Sequence, residues 1–177
     1  HRDASEEERR IGLCNACILV FRAPVFRELI DKVGNANSQG EYYVTDLVGL
    51  ANGAGYKVGY GVAPEADVMG VNDRAQFARA EKQFQDLRGE DFLAAGVTMH
   101  DPATVYVSWD TEIGKDVVLE PNVVLGPGVH IGEGAKVFAF SHIENSTLGP
   151  GVTVGPFTRL RGGTVLADDV HIGNFVE

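Results

Sequence analysis

The second half of the chain repeats itself. From Val107 onward, aliphatic residues fall at Val107, Ile113, Leu119, Leu125, Ile131, Val137 and Ile143, six residues apart each time. After one five-residue step the ladder resumes at Leu148, Val154, Leu160, Leu166 and Ile172. Small or β-branched residues recur four positions after a rung, at Val117, Val123, Val129 and Ala135, and later at Val152, Thr158, Thr164 and Val170. Glycine follows the rung directly at Gly114, Gly126, Gly132, Gly149, Gly155 and Gly173. A period of six fits neither the 3.6-residue helical repeat nor the two-residue alternation of a hairpin meander. It fits a β-helix, in which short strands joined by tight turns each send one aliphatic side chain inward and stacked coils align them into columns. Glycine beside the rung is expected to supply backbone angles that other residues resist. The pattern is still in phase at Ile172 and runs on to Glu177 without a capping segment. The chain is therefore expected to be an internal piece of a longer protein, trimmed by design or by proteolysis.

The first part has no fixed period. Residues 12–21 form an apolar run typical of a central strand. Pro24 followed by Val25, Phe26, Leu29, Ile30 and Val33 has helical spacing, with the proline in the first turn. Residues 35–40 read as a loop, residues 46–54 as a second helix ending in glycines, and residues 56–62 as a strand. Strand, helix, helix, strand predicts part of an α/β layer. Residues 72–95 then predict a connecting helix, with Ala75, Phe77, Ala78, Ala80, Phe84 and Leu87 set against polar Arg79, Glu81, Lys82 and Gln83. The organisation is thus an α/β segment over residues 1–74, a linker helix over 75–95 and a β-helix over 96–177.

Composition narrows the function classes. The 177 residues carry a net charge of −10, which argues against a polyanionic nucleic-acid partner. No apolar run approaches the ~18 residues that span a bilayer, so no membrane partner is expected. The polar, acidic start shows no export signal, and the default location is the cytoplasm. Cys14 and Cys17 are spaced C-x-x-C. No second pair completes a four-ligand zinc site, and the flanking Ile11, Leu13, Ile18, Leu19 and Val20 predict a buried strand carrying two free core thiols.

Several strings go further than the period. Gly40-Glu41-Tyr42-Tyr43-Val44-Thr45-Asp46 and Gly70-Val71-Asn72-Asp73-Arg74 resemble motifs late in the nucleotidyltransferase domain of one bacterial enzyme family. Ala95-Gly96-Val97 with Asp101-Pro102-Ala103 resembles the start of that family's left-handed β-helix. Gly155-Pro156-Phe157-Thr158-Arg159-Leu160-Arg161 and His171-Ile172-Gly173-Asn174-Phe175-Val176-Glu177 resemble its acetyltransferase repeats. The family is the bifunctional N-acetylglucosamine-1-phosphate uridyltransferase / glucosamine-1-phosphate N-acetyltransferase. The resemblance runs along the whole chain. It implies the C-terminal part of a Rossmann-like nucleotidyltransferase domain, a connecting helix and a truncated left-handed parallel β-helix, assembled as a homotrimer through the coils. It also implies the chemistry. Glucosamine-1-phosphate is acetylated from acetyl-CoA, and the product is then joined to UMP from UTP, with Mg²⁺ assisting and pyrophosphate leaving, to give UDP-N-acetylglucosamine for peptidoglycan and lipopolysaccharide synthesis.

The resemblance assigns roles to particular residues. Asn72 matches a family asparagine that helps hold Mg²⁺ and contacts the nucleotide sugar, and its amide oxygen is a hard ligand of the kind Mg²⁺ takes. Asn15 matches an asparagine that binds the N-acetylglucosamine moiety. Tyr43 and Thr45 fall where the family lines the sugar pocket. Arg161 matches the arginine that binds the sugar phosphate, and a guanidinium is the fork that suits phosphate oxygens. Arg159 is expected to be structural. Gly162-Gly163 stands where the family often has Pro-Gly. None of His1, His100, His130, His142 and His171 matches the family's general base, and the glycine-rich nucleotide loop is absent. No catalytic residue is therefore assigned, and the chain alone is expected to be inactive. Two other readings share part of the pattern: a monofunctional sugar-1-phosphate nucleotidyltransferase with a β-helix tail, and a non-catalytic trimerisation scaffold.

Overall fold

A computed structural model describes residues 5–177. It divides between Gly70 and Val71 into two compact units.

In the first unit, α1 (Ala23–Leu29) carries Pro24 in its first turn, where a missing N–H costs nothing, and a single 3₁₀ turn, Ile30–Lys32, continues it. Helix α2 (Asp46–Gly53) ends in glycine. Leu29, Val33, Leu47 and Ala51 are buried between the two helices, with Phe21, Val25, Ile30 and Leu50 against them. Outside this cluster, the Tyr56 hydroxyl donates to Glu28 at 2.6 Å.

The two predicted strands are not formed. Among the described residues of this unit there is no β-strand, and residues 12–21 and 56–62 run without ladder partners. An apolar run becomes a strand only if a neighbour takes its backbone N–H and C=O groups, and here neither segment pairs with the other. Ile11, Leu13, Ile18 and Val20 are exposed as a result. The two cysteines are free, as expected, but they lie on the surface and not in a core.

The second unit opens with α3 (Arg74–Ala94), whose N-terminus is capped by Asp73 accepting from the Gln76 N–H at 2.7 Å. The packed face of α3 is not the one its apolar residues suggest. Phe77 and Leu87 are exposed, whereas Gly89 and Phe92 are buried, because only the later turns meet the coil. Thirteen short strands follow among the described residues: β1 (Thr98–Met99), β2 (Tyr106–Val107), β3 (Glu112–Ile113), β4 (Val118–Leu119), β5 (Val124–Leu125), β6 (His130–Ile131), β7 (Lys136–Val137), β8 (His142–Ile143), β9 (Ser146–Leu148), β10 (Thr153–Val154), β11 (Arg159–Leu160), β12 (Thr164–Leu166) and β13 (His171–Ile172). Every third strand pairs in parallel, giving sheets ordered β1-β4-β7-β10-β13, β11-β8-β5-β2 and β12-β9-β6-β3. This is a parallel β-helix, in line with the left-handed form that the resemblance implies.

The pairing registers explain the periodicity. Three six-residue units bring Leu125 under Ile143 and Val107 under Leu125. The single five-residue step shortens one coil, so that Leu160 stacks on Ile143 and Leu148 on Ile131. The ladder begins one rung earlier than the hexapeptide count shows. Met99 pairs with Leu119 across a longer first coil that contains the 3₁₀ turn Pro102–Thr104.

The corner series holds small and β-branched residues, as expected, and includes polar ones as well as aliphatic ones. Buried Ser141 donates to the Gly155 carbonyl and Thr158 to the Gly173 carbonyl, each at 2.9 Å, satisfying turn carbonyls of the next coil. The glycine that follows a rung at Gly114, Gly132, Gly149 and Gly155 is required for a reason other than the expected one. It does not adopt positive φ; that role falls two residues later in the unit, at Asp116, Asn122, Gly128, Gly134 and Gly151, for example. A Cβ on Gly132 would instead lie 2.5 Å from the Pro150 nitrogen and 2.7 Å from the Gly149 carbonyl carbon. Coils approach too closely there for any side chain. Gly132→Ala is expected to destabilise the coil by about 1–3 kcal/mol, seen as a lowered thermal midpoint. Gly134→Ala, at φ 69° with open space around it, tests the αL cost alone, about 1–2 kcal/mol.

Candidate functional site

The two segments that carry Asn15, Tyr43 and Thr45 meet at one open cleft of about 570 Å³ in the first unit. Its walls include Cys17, Leu19, Phe21, Phe26, Arg27 and Val44; Val44 lies between Tyr43 and Thr45, and Cys17 two residues after Asn15, but none of the three predicted residues lines it. Asn15 is exposed, and its side-chain oxygen accepts from the Cys17 N–H at 2.7 Å. That bond accompanies Cys17 in the left-handed region, at φ 61°, as in the local turns that Asn side chains make with the backbone two residues on. The Tyr43 hydroxyl, half-buried, accepts from Gln39 Nε2 at 2.6 Å. Thr45 stands at the N-terminus of α2 without capping it through its side chain.

Asn72 and Arg161 belong to the second unit. Asn72 is exposed immediately before α3, with its N–H donated to Gln76 Oε1 at 2.6 Å, so its backbone is fixed by the helix cap. Asp73 beside it is committed to that cap. Mg²⁺ takes six oxygens, usually including one or two carboxylates, and among the described residues no group of three or more His, Cys, Asp or Glu could hold a metal. Asn72 could provide one oxygen of a magnesium site.

Arg161 follows β11 on the outer surface of the coil, with its side chain 64% exposed. Its backbone carbonyl is held by Ser146 Oγ at 3.2 Å and Thr164 Oγ1 at 2.8 Å, which fixes the direction in which the guanidinium leaves the corner. The guanidinium pairs with the Glu177 carboxylate. Two residues earlier, Arg159 pairs with Glu144 at 3.5 Å. A planar fork already engaged by an oxyanion at the surface is chemically able to take a phosphate in its place.

The hydrogen bond and charge of Arg161 hold the Glu177 carboxyl below the usual carboxylate range, with Arg159 adding to the effect. A depressed carboxylate pKa contributes stability that is present above the ordinary carboxylate pKa and is lost as pH falls through the lowered value. Both partners are exposed, so the global effect is small. The local effect is measurable. A side-chain NMR titration should place the Glu177 midpoint below that of a free glutamate, and Arg161→Gln should return it to normal. An unchanged midpoint in the variant would show that the pair does not form in solution.

Comparison with known proteins reaches beyond these local features. A family model described as the GMPPB C-terminal domain matches residues 102–176, the coils alone. The whole chain is matched by curated proteins named Bifunctional protein GlmU. It is 48% identical over 177 residues to that of Sphingopyxis alaskensis, 46% identical over 177 residues to that of Sinorhizobium fredii and 47% identical over 177 residues to that of Paracoccus denitrificans. By sequence the chain is similar to the GlmU proteins along its whole length. The match covers all of this chain and 39%, 39% and 40% of those three relatives, so the chain spans about two-fifths of their length. GlmU similarity extends through both units, including the first, where the coil pattern says nothing. It therefore includes the segments of Asn15, Tyr43 and Thr45 as well as those of Asn72 and Arg161. No helix among the described residues is long and apolar enough to cross a membrane.

Proposed function

We propose that this chain works as part of a GlmU-type bifunctional transferase that makes UDP-N-acetylglucosamine. Identity of 48% along all 177 residues to a relative named as bifunctional carries this reading. In it, the coil surface around Arg161 receives glucosamine-1-phosphate, with the guanidinium exchanging Glu177 for the phosphate, and acetyl-CoA supplies the acetyl group. Asn15 and Asn72, with Tyr43 and Thr45, serve the uridyl transfer from UTP by hydrogen-bonding the sugar, and Mg²⁺ supplies charge neutralisation to the phosphates when bound. Assembly is a homotrimer through the coils, in the cytoplasm.

The test is an assay of the intact protein containing this chain, with glucosamine-1-phosphate, acetyl-CoA, UTP and Mg²⁺. Stoichiometric UDP-N-acetylglucosamine and pyrophosphate are expected. Uridyl transfer to N-acetylglucosamine-1-phosphate without any acetyl transfer would replace this reading by a monofunctional nucleotidyltransferase. Neither activity would leave a trimerisation scaffold. The match of a family model to the coils alone is common to all three readings; identity along the whole chain, coils included, to relatives named as bifunctional favours the bifunctional one. This chain by itself is expected to turn over neither reaction, since none of its histidines matches the base that acetyl transfer needs.

A further inference from the structure

The first strands of a β-helix present backbone groups that no preceding coil covers, and such an edge is a template for a strand from another molecule. Strand β2 is the edge of its sheet. The N–H groups of Tyr106 and Ser108 donate to the carbonyls of Val123 and Leu125 in the next coil. The N–H and C=O of Val107, alternating with them, point away from that coil.

A single side chain from α3 takes both. The Val107 N–H donates to Gln85 Oε1 at 2.9 Å, and Gln85 Nε2 donates to the Val107 carbonyl at 2.8 Å. A carboxamide offers one donor edge and one acceptor edge, as a peptide group does, so Gln85 stands in for one residue of an adjoining strand. Glu81 holds that amide in place, accepting from Gln85 Nε2 at 2.9 Å and from the Tyr106 hydroxyl. One turn on, Arg88 donates to the Thr111 carbonyl at 2.9 Å, just before β3, and its guanidinium lies 4.5 Å from the Phe92 ring centre. Phe92 is buried with Val97, Met99, Val105 and Val107. Residues 81, 85, 88 and 92 lie on one helical face, which supplies a polar clasp and an apolar plug together.

We infer that α3 is an edge guard: Gln85 occupies the place along β2 that a strand of a second copy of this chain would take, and keeps the coils of separate molecules from joining there. The excluded partner is a second copy because the two-residue strands recur at a six-residue spacing along most of the coil, so a coil edge of this chain offers the same strand and corner pattern as the β2 edge.

The test uses the 177-residue chain and two variants. Gln85→Leu keeps the side-chain size and removes donor and acceptor. Gln85→Glu keeps an acceptor for the Val107 N–H and sets it against the Val107 carbonyl. Amide exchange at Val107 is measured at high dilution, and sedimentation velocity is measured across a concentration series. In the unchanged chain the Val107 amide should be protected. In Gln85→Leu it should exchange about tenfold faster, and the sedimentation coefficient should rise with concentration more steeply than in the unchanged chain. Gln85→Glu should shift both in the same direction. Faster exchange with unchanged sedimentation overturns the guard and leaves only a clasp. Val107 exchanging like an exposed loop amide in the unchanged chain overturns both, and that measurement needs no variant to fold.

Discussion

Truncating Leu125 to alanine is expected to lower the unfolding free energy by about 2–5 kcal/mol. Leu125 is fully buried on β5, in a column with Val107, Ile143 and Leu160. Ladder hydrogen bonds hold the coils above and below it at fixed spacing, since Gly126 N–H donates to Ile143 O at 2.7 Å and Ser108 N–H to Leu125 O at 2.9 Å. The site cannot collapse into the space left, so the cavity cost adds to the lost transfer energy. A solenoid contacts only its neighbouring coils, and a weakened coil in the middle interrupts the stack. Urea unfolding followed by circular dichroism measures the effect. Val165→Ala is the control: Val165 is 75% exposed on β12, and its change should stay within about 0.5 kcal/mol. A Leu125→Ala shift no larger than that of the control would mean that the column does not carry the fold.

Replacing Arg161 by alanine in the intact protein is expected to lower kcat/KM for glucosamine-1-phosphate by about ten- to a hundredfold. That range corresponds to the ~1.5–3 kcal/mol of a hydrogen bond to a charged group. Arg161→Lys should fall between, since it keeps the charge and loses the fork. Arg159→Ala should change little, because its partner Glu144 is a surface carboxylate. Thermal midpoints of all three should match the parent, given that both arginines are exposed. An Arg161→Ala enzyme with unchanged kcat/KM would remove Arg161 from the sugar-phosphate site and leave the coil description intact.

How much of this was legible beforehand varies along the chain. The rungs at Leu119, Leu125, Val137, Ile143, Leu148 and Val154 are all buried as the six-residue period predicts. The three helices fall where spacing and capping place them. The C-x-x-C strand was misread, because an apolar run reports hydrophobicity and not the presence of a pairing partner. The glycines after the rungs were recognised as necessary, but for the wrong reason: crowding between coils, not φ, excludes a side chain at Gly132. The aromatic column was missed. Phe140, Phe157 and Phe175 occupy left-handed corners in successive coils and stack at 5.1 and 5.5 Å. Their spacing of one coil length was a readable signal, but an isolated phenylalanine in a turn draws no attention until the corners are known to align. At the candidate site, the sequence picked out Asn15, Tyr43, Thr45, Asn72 and Arg161 by resemblance. Glu177 as the ion-pair partner of Arg161 could not be read from sequence, since the two are 16 residues apart on adjacent coils.

What the sequence determined by itself is the coil. A six-residue period is a local property, and each unit needs only its own alternation to turn one aliphatic side chain inward, so counting along the chain was enough. What only the tertiary structure decided is how polar groups are matched across coils and at the coil's edge. Gln85 read as one more polar residue on a linker helix, beside the stated polar face of Arg79 to Gln83. Its amide covers the free backbone of Val107, 22 residues later in the chain. Hydrogen bonds are directional and satisfied pairwise, so their partners are settled by which groups arrive together in space, and no spacing rule along one element contains that information.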